Sequence, residues 1–376
     1  MDFVFTLVSI GLLLLFAKLL GELSERFGVS SLVGEIIAGI MLGPVIGLVS
    51  LNNFIDNFVM LGIILLLFLA GMEVKFDEIK NNIYAASALA ASAGILSFIF
   101  GMIVGLIFFN DFIVGFAIGT VLASTSNGTL FSLLMKSHHF NTSAGKLIIA
   151  SSICDDVLGI IALSFFSFFG AHEAVSWNKI SAIFFVVVGL YLVVFTAGER
   201  LIKVIIKYIS RFKSDEVLFA IPFGITILMA YFTENIGVSL AAGAFLAGMT
   251  MANSEFTPII ESKIKILGNG FLIPLFYASI GTLLVFRDVN IYLVAAIFAA
   301  AVFGKVIGSA LVAKLLRLHK SEIKIVCIAL IPRGNENMAL AQLVFALGLV
   351  AMSVYTSLLI ALVLTVIASA ILMKLL

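Results

Sequence analysis

Charged residues are scarce in this sequence, and the shortage excludes an ordinary soluble fold. Lys, Arg, Asp and Glu make up 11% of the 376 residues, whereas hydrophobic residues make up 62%. The mean hydropathy of +1.24 is far above that of a soluble domain. The formal net charge of only +1 offers no basic surface for nucleic acid, so no nucleic-acid partner is expected.

Tryptophan and cysteine are also rare. A single Trp stands against 35 Phe, so we expect the aromatic rings to face lipid or other helices. The two cysteines, Cys154 and Cys327, both lie inside apolar segments. We interpret them as small buried hydrophobic residues. Neither they nor any other pattern indicates a cofactor.

Long apolar runs are what the sequence has in abundance. A helix needs about 20 apolar residues to cross a bilayer, and about thirteen runs qualify. The first run lacks a basic leading segment and a cleavage site, so it is expected to be a retained helix. The sequence therefore predicts an all-α integral membrane protein of 1–376. The runs lie near 3–21, 31–50, 54–73, 84–109, 112–135, 146–169, 180–209, 216–233, 237–252, 266–286, 290–314, 323–347 and 351–375.

The connecting segments carry their basic residues on one side. Clusters such as Lys75 with Lys80, and Lys314 with Lys320, fall on one side, whereas Lys179 and Arg287 fall on the other. Basic residues accumulate on the cytoplasmic face of membrane proteins. We therefore expect a plasma-membrane protein with its N-terminus outside and its C-terminus in the cytoplasm.

Three motifs of the first half recur in the second. GEIIAGIMLGP from Gly34 resembles GAFLAGMTMAN from Gly243, and FLAGMEV resembles YASIGTLL. Polar interruptions, STSNGT from Ser124 and PRGNEN from Pro332, form the third pair. Each pair is separated by an odd number of spans, which reverses direction across the membrane. This pattern predicts inverted repeats, as in many secondary transporters. The alternative is ordinary packing of small residues between helices.

Four ionisable residues are expected near the middle of the membrane. Asp155 and Asp156 lie within the span at 146–169, Lys305 within the span at 290–314, and Arg333 within the span at 323–347. Charges at this depth are costly and usually functional. Adjacent carboxylates point about 100° apart on a helix, so one can meet an ion while the other meets Lys305. A structural ion-pair network is the alternative.

The polar interruptions predict two broken helices. Ser124, Thr125 and Ser126 with Asn127 are poor helix formers in lipid, and Pro332 with Gly334 would break the second helix. Unwound backbone is tolerated at membrane depth only inside protein or beside water. Its carbonyl and hydroxyl oxygens suit a dehydrated alkali cation. If the breaks cross, nearby charges can balance the opposing helix dipoles. A Ser- and Thr-rich packing seam is the alternative.

In this order along the chain, these motifs resemble the cation:proton antiporter-2 family, in its Na+/H+ exchanging branch. The quoted elements are GEIIAGIMLGP, LLLFLAGMEV, ASTSNGT, SSICDDVLGI, SLAAGAFLAGMTMANS, FLIPLFYASIG, the lysine in AVFGKVIG, and PRG. The resemblance implies a homodimer with an elevator-like motion. It implies a transport core near 54–169, 266–347 and 351–375, and a dimerisation scaffold near 1–50 and 180–252.

The resemblance also implies roles for individual residues. Asp156 matches the carboxylate that binds the cation or the proton, and Asp155 matches the partner of Lys305. Asp155 is a second candidate Na+ ligand. Thr125 and Ser126 match positions near the ion.

Other positions are supporting or depart from the pattern. Asn127 replaces a small or apolar residue, and Asn335 stands where the family often has Glu, with Glu336 one place later. Ser124 and Arg333 are supporting residues of the two breaks. Glu35, a buried carboxylate in the GE motif, suits a structural role as well as a transport role.

The sequence therefore predicts an electrogenic antiporter that exchanges Na+ or Li+ for protons by alternating access. The Asp-Asp pair favours Na+ over K+, although a K+/H+ antiporter of the same fold is the main alternative. A cation channel would need a continuous pore, and no filter-like repeat is present. A membrane enzyme would need a nucleophile–base pair or a metal cluster. No His is expected beside the carboxylates, so an enzyme is not predicted.

Overall fold

The computed structural model describes residues 3–73, 83–126, 142–164, 216–235, 240–252, 256–284 and 289–374, together with positions 130, 133, 134, 137, 139 and 189. Every regular element in this described part is a helix, which confirms the all-α prediction. The helices are α1 Phe3–Arg26, α2 Ser31–Ile40, α3 Asn53–Met72, α4 Ile83–Phe109, α5 Phe112–Ala123, α6 Ser143–Ser164, α7 Val217–Asn235, α8 Leu240–Met251, α9 Thr257–Leu267, α10 Ile273–Leu283, α11 Ile291–Leu315, α12 Lys320–Ala329, α13 Asn335–Ala346 and α14 Met352–Lys374.

Seven of these described helical segments are long and apolar enough to cross a membrane. They are Val4–Arg26, Asn53–Met72, Tyr84–Phe109, Val217–Asn235, Thr257–Leu283, Ile291–Leu315 and Met352–Met373. The longest, Thr257–Leu283, includes a π-helical turn at Gly268–Leu272 that joins α9 to α10 without interruption. The prediction of a multi-pass membrane protein is confirmed.

Some predicted spans differ from the observed helices. The span at 180–209 lies outside the described residues, apart from position 189. The span at 323–347 consists of two helices, α12 and α13. The span at 31–50 ends early, because α2 turns into a π-helical turn at Met41–Val45 that contains Pro44. Proline has no N–H to continue an α-helical ladder. The residues that follow connect to α3 without regular structure.

Side-chain caps fix several helix starts. Asn52 accepts a hydrogen bond from the Ile55 N–H at 3.0 Å, and Asp111 accepts one from the Ile113 N–H at 2.7 Å. Asn290 caps α11 in the same way, through the Tyr292 N–H at 3.0 Å. The first N–H groups of a helix have no partner within the helix, so such caps stabilise its start by about 1 kcal/mol.

The contacts divide the chain into two compact units. The first unit contains Met1–Leu19, Glu35–Phe76 and Leu163–Leu283, and the second contains Leu20–Gly34, Asp77–Ala162 and Leu284–Leu376. The predicted division into a transport core and a dimerisation scaffold concerns which parts move together. It stays a prediction.

In the first unit, glycines bring two pairs of helices into backbone contact. A Cβ on Gly39 of α2 would lie 1.8 Å from the carbonyl oxygen of Ala278 in α10. A Cβ on Gly248 of α8 would lie 2.1 Å from the carbonyl oxygen of Phe68 in α3. Gly39 and Gly248 occupy equivalent places in the two recurring motifs. The same contact therefore occurs twice with the two halves exchanged, as expected for inverted repeats.

In the second unit, α4 packs closely between α5 and α11. A Cβ on Gly105 would lie 2.2 Å from Gly115 Cα in α5, and one on Gly304 would lie 2.5 Å from Ser97 Cα. The opposite faces of α4 and α11 are apolar and exposed. They carry Ile95, Ile99, Ile103 and Ile107 on α4, and Phe303, Ile307, Leu311 and Leu315 on α11. Small residues inside and large apolar residues outside are the arrangement that membrane helices use.

Candidate functional site

The first break follows α5. Helix α5 ends at Ala123, where Ser124 adopts an extended conformation with φ −79° and ψ 166°. Ser124, Thr125 and Ser126 are all buried, with exposed fractions of 2% or less. Asn127 lies outside the described residues. The backbone thus leaves the helix inside protein, which is the condition for non-helical backbone at membrane depth.

The second break separates α12 from α13 and touches the first. Pro332 lies between the two helices, and Gly334 adopts a non-helical conformation with φ −118° and ψ −124°. The backbone N–H of Ser126 donates a hydrogen bond to the Pro332 carbonyl oxygen at 3.1 Å. The two broken segments therefore meet, in agreement with the predicted crossing.

Asp155 lies on α6 beside the first break. Its Oδ2 accepts a hydrogen bond from the Thr125 hydroxyl at 2.7 Å and forms an ion pair with the Lys305 ammonium of α11. The side chains of Asp155 and Lys305 are 1% and 0% exposed. Its other oxygen, Oδ1, is buried and has no hydrogen-bond partner among the described residues. A buried ion pair is costly to desolvate, and the added hydroxyl bond provides the carboxylate with one of the hydrogen bonds it loses on leaving water.

Arg333 lies in the second break and is fully buried. Its guanidinium donates to the carbonyl oxygens of Leu330 and Ile331 at 3.0 and 3.1 Å, where α12 ends. It also donates to Ser97 Oγ and to the Ala301 carbonyl oxygen, both at 3.3 Å. The C-terminal end of a helix carries partial negative charge, so a cation there stabilises it. Arg333 thus neutralises the broken end of α12.

The backbone of Arg333 has a contact that mirrors the first break. Its N–H donates to Thr365 Oγ1 of α14 at 3.0 Å. In the repeat, Arg333 corresponds to Thr125, and α14 corresponds to α6. Each break is therefore tied to the helix that follows it in its own half: through Thr125 and Asp155 in one, and through Arg333 and Thr365 in the other.

Asn337 and Ser97 are parts of this site that sequence reasoning missed. Asn337 is fully buried on α13, and its Nδ2 donates to the carbonyl oxygens of Val121 and Ser124 at 2.7 and 3.1 Å. The same Nδ2 lies 3.0 Å from Ser124 Oγ. The only feature of the sequence that could have pointed to Asn337 is its place in the polar motif PRGNEN.

The remaining predicted residues are placed as follows. Asp156 belongs to α6 and Asn335 begins α13, but their side chains are outside the described part. Glu336 follows in the first turn of α13 and is 8% exposed. Glu35 belongs to the first unit, where it forms an ion pair with Lys18 at 3.2 Å.

Comparison with known proteins now adds to this geometry. Residues 11–374 match the family described as sodium/hydrogen exchanger, transmembrane. The chain belongs to the sodium/hydrogen exchanger family. Its placement in the antiporter-2 branch stays a prediction.

Several relatives of this exchanger carry antiporter names. It is 29% identical over 364 residues to the probable Na+/H+ antiporter GerT of Bacillus cereus, covering 96% of this chain and 95% of GerT. It is 27% identical to the Na+/H+-K+ antiporter GerN of the same organism, covering 95% and 92%. It is 25% identical to a Na+/H+ antiporter of Enterococcus hirae, covering 98% and 97%.

The fold of the exchanger is also found in a solved structure. The sodium proton antiporter MjNhaP1 of Methanocaldococcus jannaschii at pH 8 matches with a TM-score of 0.76 and 17% identity. The match covers 99% of this chain and 96% of that chain. The predicted antiporter fold is confirmed. All these relatives are transporters, in line with the prediction that the chain is not an enzyme.

Proposed function

We propose that this exchanger moves Na+ in one direction and protons in the other, with Asp156 as the carboxylate that binds either ion. The observation that carries the proposal is the buried ion pair of Asp155 with Lys305 beside two crossing broken helices. Membership of the exchanger family and the names of the relatives support the same activity. Cofactors are not required, because the transported ions themselves are the ligands.

The first break suits a dehydrated alkali cation. Thr125 and Ser126 bring hydroxyl and carbonyl oxygens to the end of α5, and such hard oxygens are the ligands that alkali cations take. The carboxylate of Asp156 would add the charge that compensates for lost hydration. Na+ and H+ then compete for one group, so the loaded site can alternate between the two faces of the membrane.

The ion pair gives the cycle a second proton. A cation arriving at Asp156 adds positive charge near Lys305, and a nearby positive charge disfavours the ammonium form. The pair with Asp155 weakens, and Lys305 releases its proton. Asp156 releases another when Na+ replaces its proton. Two protons would then move against one Na+ or Li+, which makes the exchange electrogenic.

K+ is the main alternative to Na+, and one observation favours it. The relative GerN is named a Na+/H+-K+ antiporter, and its match extends over 95% of this chain. Reconstituted liposomes with a trapped pH dye distinguish the two, when Na+, Li+, K+ and Rb+ are added in turn. We expect Na+ and Li+ to drive proton release. If only K+ drives it, the transported cation is K+ and not Na+.

The substitution Asp156→Asn tests the assigned carboxylate. Asparagine has nearly the same shape but neither binds a proton nor offers a negative charge. Cation-driven proton release should therefore be lost, while the purified protein elutes and melts like the wild type. Exchange at the wild-type rate by folded Asp156→Asn protein would exclude Asp156 as the shared site.

A further inference from the structure

Asn337 offers a buried oxygen that no described group uses. Its side chain is completely buried, and its Oδ1 has no hydrogen-bond partner among the described residues. Buried polar atoms are nearly always bonded, and an exception in a native structure requires an explanation. An ion that binds during the working cycle is one such explanation.

The orientation of this amide is fixed by its neighbours. The oxygen and nitrogen of an asparagine side chain are assigned from the hydrogen-bond network. Here the nitrogen must face α5, because the carbonyl oxygens of Val121 and Ser124 can only accept hydrogen bonds. The oxygen therefore points away from these two carbonyl groups, and rotation of the amide would set three oxygens against one another.

The amide contacts the same break as Asp155. Asn337 bonds Ser124, and Asp155 bonds the next residue of the same break, Thr125. Oδ1 of Asp155 is buried and lacks a hydrogen-bond partner in the described part of the chain, as Oδ1 of Asn337 does. Two side chains that bond consecutive residues of a single break, Asn337 through its nitrogen and Asp155 through Oδ2, thus each keep one buried oxygen without a described partner. Amide and carboxylate oxygens are ligands that hard cations take.

We propose that Asn337 Oδ1 is a neutral ligand of the transported alkali cation and helps to determine which cation is accepted. This inference rests on the proposed exchange function. The bonds of Nδ2 to α5 hold the oxygen in place before the ion arrives, so binding does not have to order a flexible side chain. An amide oxygen can coordinate the cation, yet it carries no charge. When the cation leaves, only the carboxylate therefore needs a proton.

The test compares two substitutions at this position. Asn337→Ala removes both the oxygen and the cap on α5, whereas Asn337→Asp, with its carboxyl group protonated, keeps an oxygen in the same place and a hydroxyl donor towards the carbonyl groups of α5. For a ligand, Asn337→Ala should raise the KM for Na+ by about tenfold or more, because a bond to a charged group is lost. Asn337→Asp should keep the KM within about threefold of the wild type, with a changed preference among Na+, Li+ and K+.

Equilibrium binding provides a readout that does not depend on transport. The increase in melting temperature caused by Na+ should be lost in Asn337→Ala and kept in Asn337→Asp. Thr356→Val is the matched control, since it removes another buried oxygen without a described partner, on α14. It should leave the Na+ response unchanged. If Asn337→Ala fails to fold, the binding and preference of Asn337→Asp still decide the matter.

The results separate this inference from the proposed function. Unchanged KM and unchanged Na+ stabilisation in Asn337→Ala would overturn the ligand role and leave Asn337 as a cap of α5. The ligand role would also be overturned if Asn337→Asp weakened Na+ binding as much as Asn337→Ala, or more. Absence of cation-driven proton release by wild-type liposomes would contradict the exchange function itself, and with it the ligand.

Discussion

At the scale of single residues, the two oxygens of Asp155 have different surroundings. Oδ2 accepts a hydrogen bond from the Thr125 hydroxyl and forms the ion pair with Lys305, whereas Oδ1 has no hydrogen-bond partner among the described residues. Removing one member of a buried ion pair leaves a charge without compensation, at a cost of about 3 to 5 kcal/mol. Removal of either Asp155 or Lys305 is therefore expected to destabilise the protein through the charge left on the other.

Lys305→Gln tests the contribution of this lysine to charge movement. Glutamine keeps a hydrogen-bonding chain of similar length but removes one titrating group. We expect weaker Na+/H+ exchange with no net charge moved per cycle. Currents on a solid-supported membrane, recorded beside dye-monitored proton flux, measure both. If the variant exchanges and its current per proton equals that of the wild type, Lys305 is only a structural brace.

Arg333→Met tests the stabilisation of the second break. Methionine fills a comparable volume but leaves the carbonyl oxygens of Leu330 and Ile331 unbonded inside the protein. We expect a loss of about 3 kcal/mol or more in the free energy of unfolding, since several charged hydrogen bonds disappear. Melting in detergent measures it. Lys324→Met, at an exposed position of α12, should change stability by less than about 0.5 kcal/mol.

The charged residues of this site could be predicted from the sequence alone. Asp155, Lys305 and Arg333 stand out because charged side chains are rare in apolar runs. Asn337 and Ser97 could not be predicted, since a neutral polar side chain gains its importance only from the helix that passes beside it. Val121 and Ser124 meet Asn337 across more than two hundred residues of chain.

At the scale of helices, contact between backbones controls how the first unit packs. The contacts of Gly39 with Ala278 and of Gly248 with Phe68 leave no room for a side chain. The carbonyl groups already accept hydrogen bonds within their own helices, so the two backbones can come this close without losing hydrogen bonds. The helices α2 and α10, and likewise α3 and α8, are therefore expected to stay together as pairs.

Gly39→Ala and Gly248→Ala test this packing. Each added methyl group overlaps a carbonyl oxygen, so each variant should lose about 2 kcal/mol or more of stability. Because the two contacts are equivalent, their losses should be similar. Gly224→Ala on α7 is the control, since a Cβ there meets nothing within 4 Å. Stability of both variants equal to that control would contradict the close approach.

The helix breaks were predictable from composition, but their ends were not. A helix is predicted to break where Ser, Thr, Pro or Gly interrupt an apolar run, as at Ser124 and Pro332. The exact ends depend on tertiary contacts: α5 stops where Asn337 bonds the last carbonyl groups, and α2 turns where Gly43 packs against Thr282. Sequence periodicity carries no information about such partners.

At the scale of the whole molecule, the distribution of basic residues predicts the orientation in the membrane. Single cysteines test it on a background in which Cys154 and Cys327 are replaced by alanine. We expect Lys320→Cys to react with a membrane-impermeant reagent from the cytoplasmic side, and Lys179→Cys from the outside. Labelling of Lys179→Cys and Lys320→Cys from the same side would overturn the predicted orientation.

Arg333 gives the internal duplication an unequal outcome. Thr125 and Arg333 occupy equivalent places in the two copies, yet only the second copy has a cation that is covalently attached. A guanidinium lies within the second break itself, whereas the first break meets a cationic side chain only indirectly, through the ion pair of Asp155 with Lys305. The two breaks thus differ in whether they carry a built-in charge. Under the proposed function, only the first break exchanges its ion in each cycle, while the charge at the second stays constant.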